Sequence, residues 1–84
     1  MNYAELVWTD RRGAGRMESF PVDSREDEDR ILARLKTLRR PAELKFKGRV
    51  VGGVEDVSEG MGHPDDRRVR WNWWLERGFW SSTG

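Results

Sequence analysis

Only one segment of this 84-residue chain has the apolar spacing of an α-helix, and that single helix limits what the chain can fold into. Asp23 or Ser24 can cap its start, acidic residues crowd its first turn, basic residues crowd its last turn, and Pro41 stops it. The sequence therefore predicts a helix over residues 24–40. Its apolar stripe consists of Ile31, Leu32, Leu35 and Leu38.

The remaining segments alternate apolar and polar residues, which is the pattern of β-strands. Two glycines in DRRGAG predict a hairpin loop near residues 10–15. Gly52-Gly53 indicates a primed turn between the next two strands, although a turn at Lys47-Gly48 followed by one longer strand fits the pattern too. The predicted strands are YAELVWT, RMESFPV, AELKFKGRVV, VEDVS and a last strand from Arg67 or Arg68 to about Glu76.

These segments predict an α+β fold: a single small domain of order β-β-α-β-β-β, in which a mostly antiparallel sheet has the one helix packed on one face. We assign this domain to residues 1–77 and a short C-terminal tail to residues 78–84, where Phe79 and Trp80 can fold back. One helix covers only one face of a sheet. The other face must therefore be polar, closed against a partner, or curled into a partial barrel.

The composition favours a cytoplasmic protein. The chain has no cysteine, so neither disulfides nor thiolate metal sites can stabilise it, which fits a reducing compartment. It has no apolar run of membrane-spanning length, and its start, MNYAELVW, lacks the features of a signal peptide. We therefore expect no membrane association.

Four of the five tryptophans lie in the closing block VRWNWWLERGFW, residues 69–80. Trp74 lies among polar residues in this block. It either covers the second face of the sheet by packing on Trp80 or Tyr3, or contacts a partner together with Arg70. Strand alternation assigns Val69, Trp71, Trp73 and Leu75 to the core and directs Arg70, Asn72, Trp74 and Glu76 the other way.

Basic residues dominate residues 30–49, where eight of them accompany a single acid, Glu43. As a continuous patch they could bind nucleic-acid phosphates or an acidic partner. The alternative is a solvated helix face beside ordinary strand-edge lysines, and the chain lacks the RNA-recognition strand signature and the KH glycine loop. The candidate patch consists of Arg34, Arg39, Arg40, Lys45, Lys47 and Arg49.

Acidic residues dominate residues 55–66, which hold five acids and no base. The acids in the first turn of the helix are explained by the helix dipole, so only this second block independently indicates a surface that docks on a basic, nucleic-acid-handling partner. The predicted partner-binding residues are Trp74, Arg70, Glu55, Asp56, Glu59, Asp65 and Asp66.

No pattern in the sequence supports catalysis, a metal site or a cofactor. His63 is the only histidine, the side-chain type that titrates near neutral pH, and no motif places a serine or threonine beside it. The nearby Asp65 and Asp66 do not match the spacing of a calcium loop. We therefore predict a non-enzymatic protein without cofactor or metal.

In style, the chain resembles phage-encoded anti-CRISPR proteins: one compact, cysteine-free domain of a sheet and a single helix, with DSREDED and EDVSEGMGHPDD as acidic surfaces. The resemblance covers about residues 1–77, and no motif carries it. It implies a phage or mobile-element inhibitor in the host cytoplasm. Such an inhibitor blocks a nucleic-acid or subunit site of a CRISPR effector, with acidic side chains meeting basic grooves.

We therefore expect a small binding protein that acts on a protein or nucleoprotein complex through a charged, bipolar surface and an aromatic patch. Two alternatives stay open. One is a single-stranded nucleic-acid or RNA-binding module that uses Trp74 with Arg68, Arg70 and the basic stretch. The other is a homodimeric adaptor whose two copies close the uncovered face of the sheet.

Overall fold

A computed structural model describes residues 2–57 and 70–81, which form five strands and one helix. They are β1 (Tyr3–Thr9), β2 (Gly15–Pro21), α1 (Arg25–Thr37), β3 (Ala42–Phe46), β4 (Arg49–Asp56) and β5 (Trp71–Leu75). The strand order across the sheet is β2-β1-β3-β4-β5, and all neighbouring strands are antiparallel. The predicted α+β class and the β-β-α-β-β-β order are confirmed.

Helix α1 begins where the capping pattern predicts. The Ser24 hydroxyl accepts a hydrogen bond from the Asp27 backbone N–H at 3.4 Å, and the Asp27 carboxylate accepts one in return from the backbone before the helix. The helix ends at Thr37, three residues before the predicted end. Its C-cap residue, Leu38, turns into extended backbone and buries its side chain, and the residue before Pro41 is in any case disfavoured in helical backbone.

The core lies between α1 and one face of the sheet. Leu6 and Leu44 from the centre of the sheet pack with Ile31 and Leu35 from the helix, and all four are fully buried. Each such side chain contributes roughly 1.5–3 kcal/mol by leaving water, so this layer is the main source of stability. Within the described residues, no helix is long and apolar enough to span a membrane.

The turn between β3 and β4 lies at Lys47-Gly48, where both residues have positive φ (50° and 78°), as a type I′ hairpin turn requires. The interpretation of Gly52-Gly53 as a turn is wrong, since both residues lie within β4. A Cβ on Gly53 would lie 2.5 Å from the Ala42 carbonyl oxygen, and β5 crowds Gly52 in the same way. These glycines therefore allow neighbouring strands to approach closely.

The chain after β5 folds back onto the core. Phe79 is 3% exposed, and its ring packs edge-on against Phe46 with 5.1 Å between the ring centroids. Trp80 is half-buried against the same core. Both residues thus fold back as predicted, and the core continues past residue 77, where the sequence placed the start of the tail.

Glu28 connects this returning segment to α1. Its carboxylate is buried and accepts hydrogen bonds from the Gly78 backbone N–H and from the Trp80 indole N–H at 3.1 Å. Arg77 pairs with it at 2.7 Å. The helix dipole alone was expected to explain the acids of this turn, but Glu28 has this second, tertiary role.

Candidate partner-binding surface

Helix α1 covers one face of the sheet, and we name the opposite face the outer face. It consists of the strand side chains that alternate with the core residues and point away from α1. Its central row crosses all five strands in register. That row is Met17, Val7, Glu43, Gly53 and Trp74, in the order of the strands. No described element lies over this row.

The outer face exposes large apolar side chains. Met17 is 60% exposed, Trp74 is 42% exposed, and Val50 is also exposed. The Trp74 indole leans over Gly53, its cross-strand neighbour, with Nε1 3.4 Å from the position that a Cβ on Gly53 would occupy. Trp74 therefore covers part of the bare backbone of β4 and still presents much of its ring to solvent.

A concavity of about 670 Å³ lies on the outer face. Met17 and Val7 line it on the β2 side, Trp74 lines it on the β5 side, and Glu43 and Glu55 also line it. Protein sites for small molecules and single side chains commonly have volumes of about 300–1,000 Å³ and a mostly apolar lining with a few polar groups. This concavity has that size and that composition.

The charges of the outer face are mostly negative. Its described strand positions hold Glu5, Glu43 and Glu55 against one base, Lys45. Glu55 accepts a hydrogen bond from the Asn72 amide at 3.1 Å. In the described part of the chain, the side chains of Glu5, Glu43 and Lys45 make no hydrogen bond or ion pair. These carboxylates are therefore available to a cationic partner.

The structure brings together only part of the predicted partner-binding set. Trp74 and Glu55 lie on the outer face, and exposed Arg70 immediately precedes β5, where its carbonyl accepts the Val57 N–H. Asp56 pairs in register with Trp71 and so belongs to the helix side of the sheet. Glu59, Asp65 and Asp66 lie outside the described residues, as does His63.

Three members of the surface were not predicted as partner-binding: Met17, Val7 and Glu43. Alternation alone places each of them opposite the core residues of its own strand. The sequence alone does not show in which register the strands pair. It is this register that brings the three side chains into one row with Trp74. Strand pairing over such distances is set by tertiary packing, so local pattern gives no signal for it.

Two members of the candidate basic patch are paired with carboxylates of the chain itself. Two nitrogens of the Arg34 guanidinium, Nε and Nη2, donate hydrogen bonds to the Glu18 carboxylate, the shortest of 2.6 Å, and the guanidinium lies over the Trp8 ring at 5.4 Å. Glu18 raises the pKa of Arg34 through this hydrogen bond. Arg49 pairs with Glu76 at 2.8 Å. Both arginines thus serve contacts within the chain.

The other members of the candidate basic patch are separated by the sheet itself. Arg39 and Arg40 precede β3, whereas Lys47 follows its far end in the turn. Lys45 lies within β3 but points to the outer face, because it alternates with buried Leu44 and Phe46. Lys45 is thus on the outer face, and Lys47 lies one strand length away from Arg39 and Arg40.

Trp73 was predicted to belong to the core, and that prediction is wrong. It points to the helix side as predicted, but it is 40% exposed and is not part of the core. β5 is an edge strand, and what lies over Trp73 is the Lys36 ammonium group of α1, 4.8 Å from the ring centroid. Trp71 and Leu75 are half-buried against the core, and Val69 lies outside the described residues.

The suggested packing of Trp74 on Trp80 is also wrong. Trp80 lies on the helix side, where its indole N–H donates to Glu28, and Trp74 lies on the opposite face. Within residues 2–57 and 70–81, no three His, Asp or Glu side chains come together as metal ligands would. The side chains of the outer face can make apolar contacts, hydrogen bonds and charge pairs.

Comparison of the chain with protein-family models, with curated proteins and with solved structures found no match in any of the three. The chemistry of the outer face is therefore the basis on which a function can be assigned. That chemistry combines exposed apolar side chains with carboxylates that have no counter-ion among residues 2–57 and 70–81.

Proposed function

We propose that this protein is a non-enzymatic binding protein that docks on a protein or nucleoprotein partner through its outer face. The observation that supports this most is the exposure of Met17, Val50 and Trp74 together on one face of the sheet, with no described element over them. All three line the same concavity, and exposed apolar surface gathered into one patch commonly marks an interaction site. A partner that covers the patch would remove this apolar surface from water.

The charges favour a basic protein surface as the partner. Glu43 and Glu55 lie beside the exposed apolar residues, and complementary charge guides association and specificity. Nucleic acid as the direct ligand of this face is disfavoured, because its phosphates would meet these carboxylates. A homodimer closed through the outer face is disfavoured for a related reason, because both copies would bring a face with more acids than bases to the interface.

Two adjacent tryptophans provide a matched test of this proposal. Trp74 and Trp73 have nearly equal exposure, 42% and 40%, but point to opposite faces. The tagged protein is used to capture partners from its native host, and the complex is then rebuilt from purified components for affinity measurement. We expect Trp74→Ala to weaken this complex at least about tenfold, because a buried aromatic anchor often contributes 2 kcal/mol or more. Trp73→Ala should change the affinity less than about twofold.

Three results would count against this proposal. The first is equal loss of affinity in the two tryptophan variants. The second is retention of oligonucleotides at low salt that disappears in Trp74→Ala, which would favour the nucleic-acid alternative. The third is a stable dimer in light scattering that the same substitution dissociates, which would favour the homodimer.

The narrower form of the proposal is that the partner is a CRISPR effector, as the resemblance to anti-CRISPR proteins implies. The glutamates of the outer face would then meet a basic surface of the effector. Adding the purified protein to effector cleavage assays tests this form. We expect inhibition that Trp74→Ala abolishes, and absence of inhibition at a stoichiometric excess would remove the CRISPR form while leaving the docking surface in place.

A further inference from the structure

The central row of the outer face has one position without a side chain, Gly53. Glu43 of β3 and Trp74 of β5 flank Gly53 in the central row, so their Cα atoms are separated by two strand spacings, roughly 10 Å. Gly53 places no side chain between them, and the Trp74 indole leans over it, so the space that remains lies between the Trp74 ring and Glu43. We name this space the trough.

The groups around the trough fit a planar cation. The Trp74 ring forms one side and remains partly exposed. Glu43 stands on the other side, and no hydrogen-bond or ion-pair partner reaches it from the described residues. Glu55 follows Gly53 by two residues on the same face, about 7 Å along β4. An indole face attracts a guanidinium, and a carboxylate accepts two of its N–H groups at once.

The helix side of the same sheet already contains such an arrangement. There the Arg34 guanidinium lies 5.4 Å from the centroid of Trp8, and its Nε and Nη2 donate hydrogen bonds to the Glu18 carboxylate. Trp8 and Glu18 belong to neighbouring strands, β1 and β2. On the outer face, Trp74 and the glutamates correspond to Trp8 and Glu18. No arginine of the described residues lies against them as Arg34 lies against Trp8 and Glu18.

We infer that the partner inserts an arginine side chain into the trough, with its guanidinium against Trp74 and its N–H groups donating to Glu43 and Glu55. This inference rests on the proposed function and specifies the chemistry of the docked segment: an arginine flanked by apolar residues that contact Met17 and Val7. The apolar neighbours fill the rest of the concavity, and the arginine supplies the positive charge that pairs with Glu43 and Glu55.

The test uses a defined peptide, acetyl-Ala-Val-Arg-Val-Ala-amide, and two counterparts with citrulline or lysine in place of arginine. Citrulline keeps the shape of the side chain and removes its charge. Indole N–H signals of the ¹⁵N-labelled full chain are assigned with Trp74→Phe and Trp73→Phe. We expect the arginine peptide to shift the Trp74 signal and not the Trp73 signal, and the other two peptides to bind about tenfold more weakly or worse.

Glu43→Gln and Glu5→Gln form the matched pair of variants. Both glutamates are exposed, lie on the outer face and have no partner among the described residues, but only Glu43 borders the trough. Removing either is therefore compatible with folding, which the amide spectrum verifies. We expect Glu43→Gln to weaken the arginine peptide at least about fivefold and Glu5→Gln to change its affinity less than about twofold.

Equal binding of the citrulline or lysine peptide would overturn the inference, as would an unchanged affinity in Glu43→Gln or a Trp74 signal that no peptide shifts. None of these results touches the proposed function itself. That proposal is decided separately, by whether Trp74→Ala weakens the complex with the native partner more than Trp73→Ala does.

Discussion

Glu28 is 2% exposed, and its carboxylate receives donors from three residues of the segment that follows β5. A buried carboxylate is costly unless it is fully paired, and hydrogen bonds to charged groups contribute about 1.5–3 kcal/mol each in favourable cases. Because Arg77 is partly exposed and can return to water, the loss of Glu28 leaves mainly the Gly78 and Trp80 donors unsatisfied. This residue therefore holds the C-terminal segment on the helix.

We predict that Glu28→Ala lowers the free energy of unfolding by about 2–4 kcal/mol and detaches the segment around Trp80. Denaturant unfolding measures the first effect, and faster hydrogen exchange of the Trp80 indole N–H measures the second. Glu26→Ala is the control, since Glu26 is an exposed acid in the same helical turn, and it should cost less than about 0.5 kcal/mol. Equal stability losses in the two variants would contradict this role of Glu28.

Asp10 organises the hairpin between β1 and β2. Its carboxylate accepts hydrogen bonds from the Ala14 and Arg12 backbone N–H groups and pairs with Arg16 at 3.0 Å. These donors, Ala14 foremost, hold the pKa of Asp10 below its ordinary value of 3.8, although desolvation acts in the opposite direction. The carboxylate is therefore more acidic in the folded protein than in the unfolded chain.

The lowered pKa predicts a pH dependence with a definite sign. The contribution of Asp10 to stability is fully present above the unfolded value of 3.8 and is lost as the pH falls through the lower, folded value. An NMR titration of the Asp10 carboxyl carbon should give a midpoint below 3.8. Asp10→Asn should remove this part of the acid-induced loss of stability, and a midpoint at or above 3.8 would contradict the assignment.

At the scale of elements, β4 depends on glycine because β3 and β5 approach it closely. A Cβ on Gly53 would lie 2.5 Å from the Ala42 carbonyl oxygen, whereas a Cβ on Gly15 would meet nothing within 4 Å. Both glycines occupy strand positions, and neither has positive φ. Comparing alanine at the two positions therefore separates the effect of a close neighbouring strand from the effect of adding a methyl group.

We predict that Gly53→Ala lowers the free energy of unfolding by about 1–3 kcal/mol, because β3 and β4 must shift apart. Gly15→Ala should leave stability unchanged or raise it by up to about 1 kcal/mol through the unfolded state. Thermal unfolding of the two variants gives the comparison. A Gly53→Ala protein as stable as Gly15→Ala would mean that the strands do not approach as closely as described.

The elements differ in how far sequence predicts them. α1 follows from local signals, since its cap, its apolar stripe and the graded charges along it lie within one segment. The turn between β3 and β4 does not, because Gly52-Gly53 and Lys47-Gly48 carry similar local signals and only the contact with Ala42 distinguishes their roles. Alternation correctly directed Trp73 and Trp74 to opposite faces, but the exposure of Trp73 depends on the position of β5 at the sheet edge.

The outer face was the part of the structure that was least predictable from the sequence. Trp74 and Glu55 were predicted from the sequence, whereas Glu43 and Met17 join them only through the register of β2, β1, β3 and β4. In the same way, nothing near Glu28 in the sequence indicates donors that lie about fifty residues further along the chain. Such long-range pairings are determined by the packing of the whole sheet.

At the scale of the whole molecule, the two faces of the sheet use charge differently. On the helix side, Arg34, Arg49 and Arg77 pair with carboxylates of the chain itself. On the outer face, Glu5 and Glu43 have no such partner among the described residues. The near-neutral total charge of +1 therefore does not describe the outer face, whose described strand positions hold three acids against one base.

The excess of acids on the outer face predicts that the protein is a monomer in solution. Closing two outer faces against each other would bury like charges, whereas an isolated chain leaves them hydrated. Light scattering at micromolar concentration should give the mass of one chain, 9.9 kDa. A dimer mass that falls to the monomer value in Glu43→Gln or Trp74→Ala would instead identify the outer face as a self-association surface.

Side-chain footprinting of the rebuilt complex tests the central claim most directly. Hydroxyl radicals oxidise exposed methionine and tryptophan, so Met17, Trp74 and Trp73 all report their own accessibility in one experiment. If the outer face binds the partner, oxidation of Met17 and Trp74 falls on complex formation and oxidation of Trp73 does not. Protection of Trp73 with unchanged oxidation of Met17 and Trp74 would place the interface on the helix side and contradict the account.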